Sequence, residues 1–147
     1  MPVITCTAET RLPADRFLAA LLDFSPQRPQ HWPNLDPSFY TVHQLGPTWA
    51  EVTEGSRFAG GIWERARYDW STPQLVTVSV LASNAFAPGG SWTYRVQPTQ
   101  AGSRVEVRID RRGRTVKGHL LATLLRALGR QVFCGDLRTT LRRLETA

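Results

Sequence analysis

The stretch Thr115–Glu145, "TVKGHLLATLLRALGRQVFCGDLRTTLRRLE", decides the fold. Its apolar residues recur at the spacing of one helix face. They are Leu120, Leu121, Leu124, Leu125, Leu128, Val132, Leu137, Leu141 and Leu144. A helix of about 30 residues would span about 45 Å at 1.5 Å of rise per residue. A helix with so long and broad an apolar stripe requires a large apolar surface to lie on.

The segments before this helix supply such a surface. Short runs alternate between apolar and polar residues and are separated by turn residues such as "GP", "FAPGG" and "TQAG", which is typical of β-strands in hairpins. The runs occupy residues 39–45, 48–54, 61–70, 74–83, 90–98 and 103–111. We expect an antiparallel meander of about six strands, whose inner face receives the helix.

Two further elements and a proline-rich corner open the chain. "PVITCTAETRL" predicts a strand, and "PADRFLAALLDF" predicts a helix because Pro13 suits a first helical turn. The corner, "DFSPQRPQHWPNLDPSFY" (Asp23–Tyr40), holds prolines at 26, 29, 33 and 37, so we expect no regular helix there. It forms either a wall of a ligand pocket or only a rigid turn.

This order of elements resembles the helix-grip fold of the START-like (SRPBCC) superfamily, which includes the polyketide cyclase/dehydrase and lipid-transport group and the Bet v 1 proteins. "ITCTAETRLPADRFLAALLDFSPQRPQHWP" is similar to the opening of that family, and "GDLRTTLRRLE" is similar to its ending. The resemblance implies an α+β fold in a single START-like domain, residues 1–147. It implies a curved antiparallel β-sheet of about six to seven strands wrapped around a long C-terminal α-helix, with a short helical segment near the N-terminus.

The resemblance also implies a cavity between the sheet and the long helix. Members of the family bind lipids, sterols, plant hormones, polyketides and other hydrophobic molecules. We therefore expect binding or carriage of a hydrophobic small molecule, and the alternative is an enzyme of the polyketide cyclase/aromatase type. The fold alone does not choose between them. In this fold the corner closes one end of the cavity, with Trp32 beside the ligand and His31 outside it.

Alternation predicts which side chains face the cavity. Two rows of the last strands should point inward. They are Trp92, Tyr94 and Val96 in one strand, and Val105, Val107 and Ile109 in the next. For residues 74–81 the pattern does not decide which of the two rows of side chains faces inward. The long helix is expected to add Leu124 and Leu128 to the ligand-binding residues.

The segment 61–70 is the most informative strand for a ligand site. Its inward row is expected to place Glu64, Ala66, Tyr68 and Trp70 at the ligand, although the opposite parity, with Trp63 inside, stays open. An inward carboxylate is costly unless it is paired, hydrogen-bonded or protonated. Glu64 is therefore either a ligand anchor or general acid/base with a raised pKa, or a residue at a sheet edge or bulge that is solvated or paired with an arginine.

Glu64, Tyr94 and His43 are the candidates for catalysis. Tyr94 and Tyr68 could each donate a hydroxyl hydrogen to a ligand carbonyl, or belong to the core with a satisfied hydroxyl. His43 has either a structural role or a place in an inward row with Phe39, Thr41 and Leu45. No nucleophile elbow, phosphate-binding loop or dinucleotide fingerprint occurs, so the sequence implies no cofactor.

The net charge and the two cysteines limit which other functions are possible. The chain has 147 residues and a formal net charge of +6, which permits a third function, a nucleic-acid or protein-interaction module. The arginines are scattered and do not alternate with aromatic residues, which argues against a nucleic-acid interface.

Cys6 and Cys134 lie far apart and have no metal-binding neighbours, so we expect neither a disulfide nor a metal site. A reducing, cytoplasmic location follows from that expectation. No membrane span or signal peptide is expected, and the protein is either a monomer or a homodimer.

Overall fold

The computed structural model describes residues 3–86, 88–110 and 116–146. For residues 59, 116–119, 121, 122, 124–130 and 132 it describes the backbone only.

One curved antiparallel sheet contains seven strands, which confirms the predicted α+β helix-grip architecture. The strands are β1 (Val3–Thr10), β2 (Thr41–Leu45), β3 (Trp49–Ser56), β4 (Ile62–Asp69), β5 (Leu75–Ser83), β6 (Ser91–Pro98) and β7 (Ser103–Asp110). Strands β2 to β7 follow one another as a meander, and β1 closes the far edge beside β7. The order is β1-β7-β6-β5-β4-β3-β2.

Alternation along the strands sets the inner face, as predicted. The rows expected inward in β6 and β7 are buried or half-buried, and the polar residues Arg104, Glu106 and Arg108 between them in β7 are exposed. In β5, where the sequence did not decide which row faces inward, Val76, Val78 and Val80 are buried. In β4 the row that includes Ala66 and Tyr68 faces inward, so the opposite parity is excluded.

The long C-terminal helix, α3 (Val116–Glu145), lies against the inner side of the fold and packs on β1. Leu137, Leu141 and Leu144 are buried, as the apolar stripe predicts. Leu120, which we counted in that stripe, is 68% exposed, so the stripe does not hold at that residue. The side chains of Leu124 and Leu128 lie outside the described residues. No helix in the described part of the chain is long and apolar enough to cross a membrane.

Two short helices precede the meander. Helix α1 (Ala14–Leu21) buries Phe17 and Leu21 completely and ends earlier than the predicted segment. Helix α2 (Arg28–His31) makes a single turn within the proline-rich corner, and a 3₁₀ turn follows at Pro37–Phe39. The corner, all of which is described, thus contains only these two short turns and no longer helix, in line with the expectation of no regular helix there. Pro29 stands in the first turn of α2, where the missing N–H removes no helical hydrogen bond.

A disulfide joins Cys6 of β1 to Cys134 of α3, so the expectation that these cysteines are unpaired is wrong. Because α3 packs on β1, two residues 128 positions apart in sequence have Cα atoms only 5.4 Å apart. The spacing of the cysteines in the sequence does not indicate this contact. The reducing compartment that we inferred from unpaired cysteines loses its support, and the cytoplasmic location stays a prediction.

Reducing this disulfide should destabilise the protein. The bond closes a loop of 128 residues, and removing a cross-link of this kind costs about 2–5 kcal/mol in the free energy of unfolding. Urea denaturation followed by tryptophan fluorescence, with and without a strong reductant, measures the difference.

The double variant Cys6→Ser/Cys134→Ser is the matched control. It should unfold at the lower urea concentration whether or not reductant is present. Equal midpoints for the oxidised and reduced wild-type protein, with free thiols confirmed in the reduced sample, would contradict the prediction.

Candidate functional site

A cavity of about 600 Å³ lies between the sheet and α3, with the proline-rich corner at its border. Its described lining combines the inner face of β3, β4, β6 and β7 with side chains of α3, namely Phe133, Asp136, Leu137 and Thr140. Six of the residues predicted to contact a ligand lie in this lining. They are Trp32, Glu64, Ala66, Tyr68, Trp92 and Tyr94.

Aromatic rings make up much of the cavity wall. The ring centroids of Trp32 and Tyr94 lie 6.4 Å apart, and those of Tyr68 and Trp92 lie 6.5 Å apart, both in edge-to-face arrangements. The ring centroid of Phe17 of α1 lies 6.5 Å from that of Tyr94. Such pairs hold rings in fixed orientations, so this part of the wall is preformed.

A buried arginine organises the polar side of the cavity. Arg28 of α2 is 1% exposed, and its Nε donates to Glu54 Oε2 at 2.8 Å. Its Nη1 donates to the carbonyl oxygens of Leu21 and Asp23 at 2.5 and 3.2 Å, and its Nη2 donates to the Tyr68 hydroxyl at 3.1 Å. The guanidinium therefore binds the C-terminal end of α1, strand β3 and strand β4 at once.

Charge and burial oppose each other in this cluster. Burial alone would lower the pKa of Arg28, but the adjacent Glu54 carboxylate raises it above its ordinary value, so the side chain stays charged. Burial, and then the charge of Glu54, raise the pKa of Tyr68 well above its ordinary value. The Tyr68 hydroxyl stays protonated and donates to Glu54 Oε1. The interpretation of Tyr68 as a residue with a satisfied hydroxyl therefore fits the structure.

Glu64 lies on the inner face directly beside this cluster. It is 8% exposed, lines the cavity, and stands opposite Glu54 in the register of β3 and β4. The register of β4 against β5 shifts between Arg65 and Ala66, one residue beyond it. Glu64 therefore lies on the inner face and also next to a bulge. From the sequence, these two placements were alternatives. Side chains directly opposite on neighbouring strands are close enough to interact, so the two carboxyl groups share one stretch of wall.

Two polar atoms of the lining have no hydrogen-bond partner among the described residues. They are Trp32 Nε1 and Thr140 Oγ1. Thr140 is completely buried on α3, one turn after Asp136. A buried polar atom without a partner costs free energy, which a ligand atom that reaches it would recover.

Other predicted site residues lie away from the cavity. Trp70 is half-buried, with its ring stacked on Phe24 at 6.0 Å, and it is not part of the described lining. His31, which was expected to lie outside the ligand site, is not part of the described lining and lies 3.5 Å from a carboxylate oxygen of Asp23. Leu124 and Leu128 cannot be placed, because their side chains are outside the described residues.

The inward placement considered for His43 is wrong. His43, Thr41 and Leu45 are exposed, and the His43 Nε2 lies 2.7 Å from the Thr53 hydroxyl oxygen on the outer side of the sheet. Strand β2 is at the sheet edge, and its register against β3 shifts between Val42 and Gln44. The bulge at His43 breaks the simple alternation on which that placement depended.

Sequence reasoning missed Arg28 and Glu54. The alternation of Ala50, Val52 and Glu54 along β3 could have indicated an inward Glu54, since the first two are buried. Arg28 gives no such signal, because it lies among polar residues and prolines in a segment without periodicity. The described residues contain no group of three or more histidine, cysteine or carboxylate side chains suited to a metal ion.

Removing the charge of Arg28 should destabilise the fold. Arg28→Met leaves Glu54 half-buried without its counter-charge and two carbonyl groups without donors, for an expected cost of about 3–5 kcal/mol. Combining it with Glu54→Gln should cost less than the sum of the two single variants. Chemical denaturation of all four proteins measures this coupling.

Arg57→Met is the matched control. Arg57 also pairs with a carboxylate, Asp36, but its side chain is 79% exposed, so we expect a loss below about 1 kcal/mol. A similar small loss for Arg28→Met would show that the buried cluster does not stabilise the fold as argued.

Known structures share this architecture across nearly the full chain. The Zhui aromatase/cyclase from Streptomyces sp. R1128 has a TM-score of 0.80 at 16% identity, covering 98% of this chain and 93% of that one. A START superfamily protein from Mycobacterium smegmatis has a TM-score of 0.75 at 13% identity, covering 98% and 97%. Ara h 8.0201 has a TM-score of 0.65 at 10% identity, covering 99% of both chains.

No protein-family model matches the sequence, and no curated protein is detectably similar to it. Identities this low establish the fold and leave the activity open. The chain has the START/Bet v 1-like helix-grip fold that its sequence predicts.

Proposed function

We propose that the protein binds a hydrophobic small molecule in the cavity between the sheet and α3. The observation that carries this proposal is the cavity itself, since about 600 Å³ of space lies within the range of sites for small organic ligands. Its wall is mostly apolar and aromatic, with a few polar groups. Packed cores do not normally retain an apolar space of this size, because each empty volume costs stability.

The similar structures support the same class of function. One is described as a START superfamily protein and another as an aromatase/cyclase. Both are names of those proteins, and what this chain shares with them is the fold. The proposal therefore depends on the cavity and on the side chains that line it.

Filling the cavity should abolish binding. Ala66 is 1% exposed and lines the cavity from β4, so Ala66→Phe places a ring in the space a ligand would use. Titration of the wild-type protein with an environment-sensitive apolar dye should give saturable fluorescence. We expect the variant to bind the dye at least tenfold more weakly.

Arg67→Phe is the matched control, because Arg67 is the next residue of β4 and is exposed on the outer face. It adds the same ring without entering the cavity, and dye binding should stay within about twofold. Circular dichroism of both variants establishes that they fold. Absence of saturable binding to the wild-type protein, or equal binding by Ala66→Phe, would refute the proposal.

A second candidate function is catalysis of the polyketide cyclase/aromatase type. The observation that favours it is the inward pair of Glu54 and Glu64 on adjacent strands, beside Tyr68. Cyclisation of a polyketone begins when a base removes a proton from carbon next to a carbonyl group. Glu64 is the proposed base, because it lies on the inner face of β4 and lines the cavity.

Hydrogen exchange on a simple aryl ketone tests this second candidate without the natural substrate. If Glu64 is a base, the protein accelerates exchange of the α-hydrogens of acetonaphthone for deuterium, measured by NMR. Glu64→Gln should slow the exchange about a hundredfold or more, whereas Glu51→Gln on the outer face should not change it. Exchange no faster than in buffer, or unchanged in Glu64→Gln, would refute the role of Glu64.

A further inference from the structure

The charged groups that line the cavity are unevenly divided. Among the described lining residues, Arg28 is the one permanent cation, whereas Glu54, Glu64 and Asp136 carry carboxyl groups. The acidic side chains come from β3, β4 and α3, so they border the cavity on both the sheet and the helix side. This distribution bears on which polar group of a ligand the cavity accepts.

Arg28 has little capacity left for an anion. A guanidinium has five N–H groups, and a carboxylate is recognised best by two parallel ones. Four of the five already donate within the protein, to Glu54, Leu21, Asp23 and Tyr68. The one remaining N–H cannot form a bidentate contact with a carboxylate. Glu54 also already neutralises the charge of Arg28.

The carboxyl groups favour the opposite kind of ligand group. Glu64 stands opposite Glu54 on the inner face, so a ligand carboxylate beside them would add a further negative charge in a poorly solvated space. On the helix side, burial raises the pKa of Asp136, although the hydrogen bond from the Asn34 amide opposes the shift. A hydroxyl or an amine would instead donate hydrogen bonds to these groups.

Two neutral atoms of the lining also suit a hydroxyl group. Thr140 is fully buried, and its Oγ1 has no partner among the described residues. The Trp32 Nε1–H likewise has none in the described part of the chain. A hydroxyl can accept from the indole N–H and also donate to an oxygen atom, and it brings no charge into the cavity.

We propose that the ligand is an apolar molecule whose polar group is an uncharged or cationic hydrogen-bond donor, a hydroxyl or an amine, and that the cavity rejects carboxylates. This inference rests on the proposed function and specifies its ligand class. An apolar alcohol, phenol or amine fits the cavity, and a fatty-acid anion does not.

Three anthracenes that differ only in one substituent, a hydroxymethyl, an aminomethyl or a carboxylate group, test the inference. Their dissociation constants are measured at pH 7 by isothermal titration calorimetry. We expect the hydroxymethyl and aminomethyl compounds to bind at least tenfold more tightly than the carboxylate.

Two variants separate a local effect from the net charge of the protein. Glu64→Gln should tighten binding of the carboxylate compound at least threefold, because it removes a negative charge from the wall. Glu51→Gln removes the same charge from the outer face of β3, where Glu51 pairs with Arg65, and should leave all three affinities unchanged.

The outcomes distinguish this inference from the proposed function. If none of the three compounds binds, the proposed function is wrong, and the inference that rests on it fails with it. If the compounds bind but the carboxylate binds as tightly as the alcohol, only the inference is overturned. Equal effects of Glu64→Gln and Glu51→Gln would also overturn it, since they would assign the selectivity to overall charge.

Discussion

A guanidinium in an apolar protein interior needs a counter-charge and hydrogen-bond acceptors for its N–H groups. The groups that meet this need for Arg28 determine how one side of this molecule is packed. Glu54 supplies the charge, and the end of α1 supplies two carbonyl oxygens. Carbonyl groups at the end of a helix lack partners within it and carry partial negative charge, so a cation is favourable there. One side chain thereby fixes the corner that borders the cavity against both α1 and the sheet.

The same requirement determines what the cavity can do. The hydrogen bonds that keep Arg28 inside also occupy Tyr68 and Glu54, which are two polar groups of the wall. The site therefore combines a saturated polar cluster with aromatic surface and with the carboxyl group of Glu64. Under the proposed function, stability and ligand selectivity would depend on the same contacts.

The sequence was sufficient for those features that depend on periodicity. Alternation assigned an inward and an outward row in β6 and β7, so Trp92 and Tyr94 could be placed in the cavity wall from the sequence. In β4 it favoured an inward Ala66 without excluding the opposite parity, and in β5 it did not decide between the two rows. The long helix follows from its spacing of leucines in the same way. Alternation failed at His43, because an edge strand with a bulge does not keep a strict period of two.

Features that depend on contacts distant in sequence could not be predicted. Arg28 and Glu54 are 26 positions apart, and Cys6 and Cys134 are 128 apart. Nothing in the local pattern around Arg28 separates a buried arginine from a solvated one. Both contacts arise only when separate elements pack together, so the cluster and the disulfide became visible with the tertiary structure.

The disulfide also restricts where the cavity can open to solvent. Cys6 is part of the cavity lining, and its bond to Cys134 ties β1 to α3. Any path of ligand exchange that requires these two elements to separate there is closed while the bond is oxidised. A ligand of the proposed kind would then have to pass another border, such as the one formed by Phe58, which lines the cavity and is 57% exposed. Under the proposed function, a route of ligand exchange between β1 and α3 would open only when this bond is reduced, so the bond would limit exchange as well as resist unfolding.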